Sequence, residues 1–164
     1  RRHSNRVDIV NKNRDNQLAI YSKVKIVENL IDYGKAEINI VNRLGQTPLH
    51  MCRNIEVARL LLEKGAIMNI CEITGKMPIF TYILNAHYDM CFEMLKNGCD
   101  LENIDRLGNS LFQVLIKSNA PLNLIILLLE AGIAFEKEEW IRNKEYTKLL
   151  VERYPKLVKL IDFK

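Results

Sequence analysis

The sequence predicts an all-α solenoid, in which helix-turn-helix units stack side by side and a helical cap closes the C-terminal end. The first observation is a segment that recurs about every 30 residues, a period typical of stacked helical repeats. The second is a glycine that ends the last apolar run of each unit, at positions 34, 65, 98 and 132. The third is residues 136–164, which depart from the repeated pattern.

Length and composition fit one folded domain with a core. The chain has 164 residues, of which 48% are hydrophobic and 27% are charged. Its longest apolar run, residues 124–129, is far shorter than the roughly 20 residues that cross a bilayer. We therefore expect no membrane insertion.

The start of the chain and its charge narrow the class of protein further. The chain begins Arg1-Arg2-His3, without an initiator methionine or a charged-then-apolar leader, so we expect a piece of a longer cytoplasmic or nuclear protein. The net charge of +4 is concentrated in the first 25 residues, where seven Lys or Arg face two Asp. A basic end of this kind is more typical of a solvated segment than of a phosphate-binding face. We expect a monomer that does not bind nucleic acid.

One unit of the repeat stands out clearly. Residues 45–50 are GQTPLH, residues 59–66 are RLLLEKGA, and Asn69 follows. They resemble the ankyrin repeat, whose pattern is a glycine turn, TPLH, a second helix ending LLL-x-x-GA, and an asparagine-containing return. This resemblance implies β-hairpin tips that project from the helix pairs.

The other units keep the same frame. The next one matches at Gly75, Pro78 and residues 94–101 (MLKNGCDL), and a third has Leu111 in place of the proline. Upstream, Leu18 and residues 30–34 match Leu49 and residues 61–65 of the clear unit, because Leu18 and Gly34 have the same separation as Leu49 and Gly65. The predicted domains are an N-terminal segment or tail of an earlier repeat at 1–14, ankyrin repeats at 15–44, 45–74 and 75–107, a degenerate ankyrin repeat at 108–135, and a helical C-terminal cap at 136–164.

Local chemistry explains the helix ends. The Thr47 hydroxyl can cap unpaired amides, and Pro48 in the first turn loses no helical hydrogen bond. Glycine allows the positive φ with which the chain leaves a helix, so we expect a positive φ at Gly34, Gly65, Gly98 and Gly132. The first two units lack about three residues between their helices relative to the ankyrin pattern, which predicts a tighter joint there.

The end of the chain has the features of a cap. Glu136, Glu138 and Glu139 lie near the start of a predicted helix, where negative charge interacts favourably with the positive end of the helix dipole. We expect Trp140 to pack on the last repeat, beside an apolar stripe, and Tyr154-Pro155 to break the helix before a short second one. The stripe consists of Ile141, Tyr146, Leu149 and Leu150, and the second helix carries Leu157, Val158, Leu160 and Ile161.

No residue pattern predicts catalysis, a cofactor or a metal. His50 is the histidine of TPLH and His87 lies at the joint between helices, so the resemblance assigns both structural roles. Cys52, Cys91 and Cys99 stand at core positions of the repeat, whereas Cys71 is expected near the surface. The cysteines lack zinc spacing, and the chain has no glycine-rich phosphate loop, HExxH or GxSxG.

The resemblance implies a partner protein bound by the tips and the exposed side of the first helices. Three tips in succession carry an apolar residue, and Arg43 and Arg106 recur at the same tip position, where they could clamp an acidic segment. The alternatives are that the apolar residues pack along the row of tips and that the arginines are solvated. The candidate residues are Arg43, Leu44, Gln46, Met51, Asn54, Ile73, Thr74, Lys76, Thr81, Leu84, Asn85, Arg106, Leu107 and Asn109, with Val114 and Lys117 as further exposed positions.

The sequence leaves several functions open. A non-catalytic protein-interaction module comes first, because it requires no chemistry beyond the surface. The layout also resembles ankyrin-repeat and SOCS-box proteins, the substrate receptors of cullin-type ubiquitin ligases, with the box then beyond residue 164. Two further alternatives are the ankyrin part of a channel or enzyme and a viral or bacterial effector that mimics host ankyrins.

Overall fold

The computed structural model describes residues 22–133 and 144–161, which form helices joined by turns and by longer non-helical segments. No named strand occurs in them, and one isolated antiparallel bridge joins Ile104 and Ser110. This confirms the all-α prediction. The helices are α1 (22–32), α2 (Pro48–Met51), α3 (Ile55–Glu63), α4 (Pro78–Leu84), α5 (Tyr88–Lys96), α6 (Leu111–Lys117), α7 (Leu122–Glu130), α8 (Lys144–Arg153) and α9 (Pro155–Ile161).

The helices stack in two rows. In the first-helix row, α2 packs on α4, α4 on α6, and α6 on α8. In the second-helix row, α3 packs on α5 and α5 on α7. Within a unit, α2 pairs with α3 and α4 with α5, so the predicted solenoid of helix-turn-helix units is confirmed.

The core lies between the two rows and runs through all the units. Leu49, Phe80 and Phe112 have no exposed surface, and each comes from a different first helix. Every residue of α6 from Leu111 to Ile116 is buried. A helix of this kind cannot bury all its faces within one pair, so its stability depends on neighbours on both sides.

The joint between helices differs from the expectation. α2 has four residues and α4 has seven, but both are followed by three connecting residues, 52–54 and 85–87. The expectation of a tighter joint is therefore wrong for the second unit, where the missing residues shorten the first helix by about one turn; the joint of the first unit lies outside the described residues. In the longer unit Ala86 adopts φ +57°, and the His87 N–H donates to the Tyr82 carbonyl at 2.8 Å.

The second helices end in a left-handed residue. Gly65, Gly98 and Gly132 have φ of +96°, +75° and +92°, as predicted. The prediction for Gly34 is wrong, because the left-handed residue of that unit is Lys35, with φ +51°. There the Gly34 N–H still reaches back to the Asn29 carbonyl at 3.2 Å, which delays the turn by one residue.

Asparagine side chains join successive units behind the helices. The Asn39 amide donates to the Gly65 carbonyl at 3.2 Å, and its oxygen accepts from the Ile67 N–H at 2.8 Å. One unit later, the Asn69 side-chain oxygen accepts from the Asp100 N–H at 3.1 Å and so connects the next pair of units. These bonds satisfy backbone groups that the turns leave unpaired.

The C-terminal helices are fastened to the stack by two side chains. Arg153 Nη1 donates to the carbonyls of Ile116 at 3.0 Å and Lys117 at 3.3 Å, and the Tyr154 hydroxyl donates to the Ala120 carbonyl at 2.6 Å. The predicted break at Tyr154-Pro155 is confirmed, since α8 ends at Arg153 and α9 begins at Pro155. Leu149 and Val158 pack against the core. Outside the described parts lie residues 136–141, with Trp140, and the side chains of Tyr146, Leu150, Leu157, Leu160 and Ile161.

None of the helices in the described ranges is long and apolar enough to span a membrane.

Candidate functional site

Three similar turns lie at one edge of the stack and form what we call the tip row: residues 42–46, 72–76 and 105–109. Each turn begins with a side-chain oxygen that accepts backbone N–H groups two and four residues ahead. The acceptors are Asn42 (from Leu44 at 2.9 Å and Gln46 at 3.0 Å), Glu72 (from Thr74 at 3.0 Å and Lys76 at 3.4 Å) and Asp105 (from Leu107 at 2.9 Å and Asn109 at 2.8 Å). In each turn the N–H of the first residue donates to the carbonyl of the last at 3.0 Å, and the bridge between Ile104 and Ser110 flanks the third turn, so the tips are short hairpin turns without named strands within the described residues.

A glycine completes each turn and lets the next one approach. Gly45, Gly75 and Gly108 have positive φ, and each N–H donates to the carbonyl three residues before it. A Cβ on Gly75 would lie 2.9 Å from the backbone nitrogen of Arg106. Glycine is therefore required at Gly75 both by the conformation and by the neighbouring turn.

Backbone hydrogen bonds connect the turns side by side. The Ile73 N–H donates to the Leu44 carbonyl at 2.9 Å, and the Arg106 N–H donates to the Thr74 carbonyl at 2.8 Å. Side chains at neighbouring tips therefore keep a fixed spacing. Arg43, Ile73 and Arg106 occupy equivalent positions, and so do Leu44, Thr74 and Leu107.

Both carboxylates of the tip row are turned inward. Burial alone would raise the pKa of Asp105, but hydrogen bonds from Asn109 and Leu107 and the charge of Lys76, 3.8 Å away, hold that pKa below its ordinary value. Burial acts the same way on Glu72, and bonds from Thr74 and Lys76 again hold the pKa low. Both side chains are ionised, and both accept hydrogen bonds from their own turns.

The outward side of the tip row carries the arginines and the apolar residues. Arg43 and Arg106 are exposed and have no ion-pair partner among the described residues. Leu44 and Ile73 are about half-exposed, whereas Leu107 is 80% exposed. Leu107 thus does not pack along the row, and the alternative of mutual packing stays open for Leu44 and Ile73.

The candidate positions on the first helices divide into two groups. Met51 and Leu84 are exposed, and Thr81 is half-buried. The two asparagines have local partners: Asn54 caps α3 by accepting from the Val57 N–H at 3.0 Å, and Asn85 donates to the Thr81 carbonyl at 2.7 Å. These bonds give both asparagines a role in ending or starting a helix.

One expected surface position is wrong. Val114 is 4% exposed, because it lies on α6, which packs against α4 on one side and α8 on the other. Lys117, one turn later, is exposed as expected. The accessible part of the first-helix row therefore narrows toward the C-terminal helices.

Sequence analysis missed two apolar residues beside Met51. Ile40 and Val41 are exposed and line, with Met51 and Pro48, a surface depression of about 280 Å³ next to the first tip. They follow Asn39 in the return segment, where the repeat pattern does not specify the residue. Their pairing with Met51 comes only from the fold.

His50 holds the tip row to the first helices. The His50 N–H donates to the Thr47 hydroxyl, and the Thr47 N–H donates to His50 Nδ1 at 3.1 Å, so the two residues form a capping box. The Thr47 hydroxyl also lies 2.9 Å from His50 Nδ1. Ring Nε2 lies 3.1 Å from the Lys76 carbonyl, at the end of the next tip. Burial lowers the pKa of His50, so the ring is neutral at pH 7.

The cysteines behave as expected. Cys52, Cys91 and Cys99 are buried, and burial raises the pKa of all three thiols, that of Cys99 to about 11. Cys71 is exposed and accepts the Asn103 amide at 3.4 Å. Within residues 22–133 and 144–161, no three His, Cys, Asp or Glu side chains gather so that they could hold a metal ion.

Comparison with known proteins agrees with the repeat, the stacked rows and the tips. The family model of the ankyrin repeat matches residues 44–73. This segment is thus similar to an ankyrin repeat. Repeats of this kind are in general protein-interaction modules.

The relatives are longer than this chain. A protein of Acanthamoeba polyphaga mimivirus named as an ankyrin repeat protein is 33% identical over 84 residues, 49% of this chain and 20% of the relative. Similar proteins of Rickettsia bellii and Fowlpox virus are 32% and 30% identical over 93 and 92 residues, 51% and 53% of this chain but 13% and 15% of their own length. The chain thus spans a fifth or less of the relatives it matches.

Proposed function

We propose that this chain binds a protein partner with the tip row and the first-helix residues Met51 and Leu84, which are exposed, and Thr81, which is half-buried. The single observation that carries the proposal is the outward side of the tip row. An exposed apolar side chain occurs on each of the three turns, and an arginine without an ion-pair partner among the described residues occurs on the first and the third; the backbone holds the turns at fixed spacing. Exposed apolar residues grouped with arginine are typical of protein interfaces.

The shape of the surface supports the same proposal. Met51, Ile40 and Val41 add an apolar depression beside the first tip. A rigid scaffold loses little conformational freedom when it binds, because the turns are already hydrogen-bonded to one another. Gln46, Lys76 and Asn109 close the turns at their inner side, so we assign them to positioning rather than to direct contact.

The test is affinity capture from a lysate of the source cell. A tip variant carries Arg43→Glu, Leu44→Ser, Arg106→Glu and Leu107→Ser. A matched control carries Lys96→Glu, Leu127→Ser, Val151→Ser and Lys159→Glu, which make the same kinds of change on the second-helix row and the C-terminal helices. Circular dichroism checks that both variants fold.

We expect the control to retain the captured protein and the tip variant to lose it. Loss in both variants, or retention in both, contradicts the assignment of the tip row.

The organisms of the relatives favour a second candidate function. Two of the three come from viruses and one from a bacterium. The second candidate is a viral or bacterial effector that mimics host ankyrins, and its partner would then be a protein of a host cell. The capture experiment repeated with host and source lysates separates the two cases, because only the matching lysate should supply a protein that the tip variant loses.

A further inference from the structure

We propose that the tip row selects an acidic segment of its partner, with carboxylates against Arg43 and Arg106 and apolar side chains between them. This inference rests on the proposed function and adds the chemistry of the ligand. It follows from the way in which the charges of the three turns are distributed between the inside and the outside of the row.

The acidic groups of the turns accept hydrogen bonds within their own turns. Asp105 is 4% exposed and receives four hydrogen bonds from Leu107 and Asn109, while Glu72 is bonded to Thr74 and Lys76. The lysine beside them is also engaged, since Lys76 Nζ donates to the Thr74 hydroxyl at 2.9 Å and lies 3.8 Å from the Asp105 carboxylate.

The arginines of the row contrast with an arginine elsewhere on the stack. Arg59, on α3, pairs with Glu56 and Glu93, both at 3.0 Å. Arg43 and Arg106 make no such pair with any described residue. The exposed face of the row is therefore positive, although its turns contain as many carboxylates as arginines.

The spacing sets the length of the segment. Packed helices lie about 8–10 Å apart, so the first and third tips, two steps along the row, are about 20 Å apart. An extended chain covers that distance in about six residues. Leu44, Ile73 and Leu107 lie on the same row and would contact the apolar residues of such a segment.

Arginine suits this role because its planar fork binds a carboxylate through two hydrogen bonds. Charge complementarity of this kind raises specificity and the association rate, and it weakens as salt screens the charges. The same tips would therefore discriminate against a segment with basic residues at these positions.

The test uses fluorescence anisotropy with synthetic peptides and the full chain. The probe is a labelled peptide of about 12 residues with glutamates at both ends and Leu and Phe between them, long enough to span both arginines. Its control has glutamine in place of each glutamate. The protein variants are Arg43→Gln with Arg106→Gln and, as a matched control, Arg53→Gln with Lys96→Gln, two exposed cations outside the tip row.

We expect the acidic peptide to bind at least about tenfold more tightly than the glutamine peptide, and the tip variant to lose that difference while the control keeps it. Equal binding of the two peptides, an equal effect of both variants, or no binding of either peptide overturns the inference. If the two peptides bind equally and Leu44→Ser with Leu107→Ser abolishes the binding, the charge selectivity fails while the proposed function stands.

Discussion

At the scale of single residues, His50 connects local and long-range structure. It closes the capping box of α2 with Thr47 and also bonds the Lys76 carbonyl of the next tip. The third unit solves the first task differently: Gln113 accepts from the Ser110 N–H at 2.9 Å. A neutral amide can therefore replace the ring at the start of a helix, whereas the bond to the next tip needs the ring nitrogen of His50.

We predict that His50→Ala lowers the free energy of unfolding by about 1–3 kcal/mol, because the Thr47 N–H loses its partner in the capping box and the Lys76 carbonyl keeps only the Glu72 N–H. Urea denaturation monitored by circular dichroism measures the loss. His87→Ala is the control, since His87 is half-buried and its side chain does not cap α5. An equal loss in the two variants would show that the bonds of His50 add nothing.

The same residue predicts a pH dependence. Burial lowers the pKa of His50 below its ordinary value of 6.5, so the unfolded chain binds a proton more readily than the folded one. The contribution of neutral His50 to the free energy of unfolding is complete above pH 6.5, and it declines as the pH falls from there through the pKa of the folded state. Unfolding at pH 7.5 and at pH 5.5 should show a smaller decline in His50→Gln than in the parent; an unchanged decline contradicts the assignment.

At the scale of elements, the turns matter as much as the helices. α2 has four residues and could not form alone, because a single turn does not repay the cost of helix nucleation. It persists because α3 and α4 pack on it. The tip turns have a similar dependence, since each donates to or accepts from its neighbour.

We predict that Gly75→Ala destabilises the chain more than Gly98→Ala. Both glycines have positive φ, which costs about 1 kcal/mol for a residue with a Cβ. A Cβ at Gly75 would also meet the Arg106 nitrogen at 2.9 Å, whereas nothing lies within 4 Å of one at Gly98. Urea midpoints of the two variants compare the effects. Equal midpoints would mean that the neighbouring tip moves aside without resistance.

At the scale of the whole molecule, burial is uneven along the stack. Leu30, Leu61 and Met94 occupy the same place in α1, α3 and α5, yet they are 54%, 5% and 1% exposed. Val27 and Ile31 still pack against the core. Among the described residues, α1 is therefore attached by one side only, while the central helices are covered on several sides.

We predict that hydrogen exchange is faster in α1 than in α4 and α5. In a repeat stack each unit is stabilised by its neighbours, so an element with less buried surface opens at lower free energy. Exchange measured by mass spectrometry at neutral pH should show α1 peptides deuterating first. Equal protection of α1 and α5 would contradict this and would indicate that the stack opens as one unit.

The repeat period, the glycines and TPLH were sufficient to predict the helical solenoid, the cap at Thr47 and the positive φ of Gly65, Gly98 and Gly132. These features depend on a few neighbouring residues, so a sequence pattern determines them. Cysteine burial followed from the same frame. The assignment of a binding surface to the tips came from the resemblance and remains a proposal.

Only the tertiary structure decided which side chains are accessible. It buried Val114, moved the left-handed residue to Lys35, kept the joint and shortened α2 instead, and placed Ile40 and Val41 beside Met51. It also turned Glu72 and Asp105 inward and left Arg43 and Arg106 facing outward. Exposure and pairing depend on residues about 30 positions away that the stack brings into contact, and a local pattern carries no information about those distances.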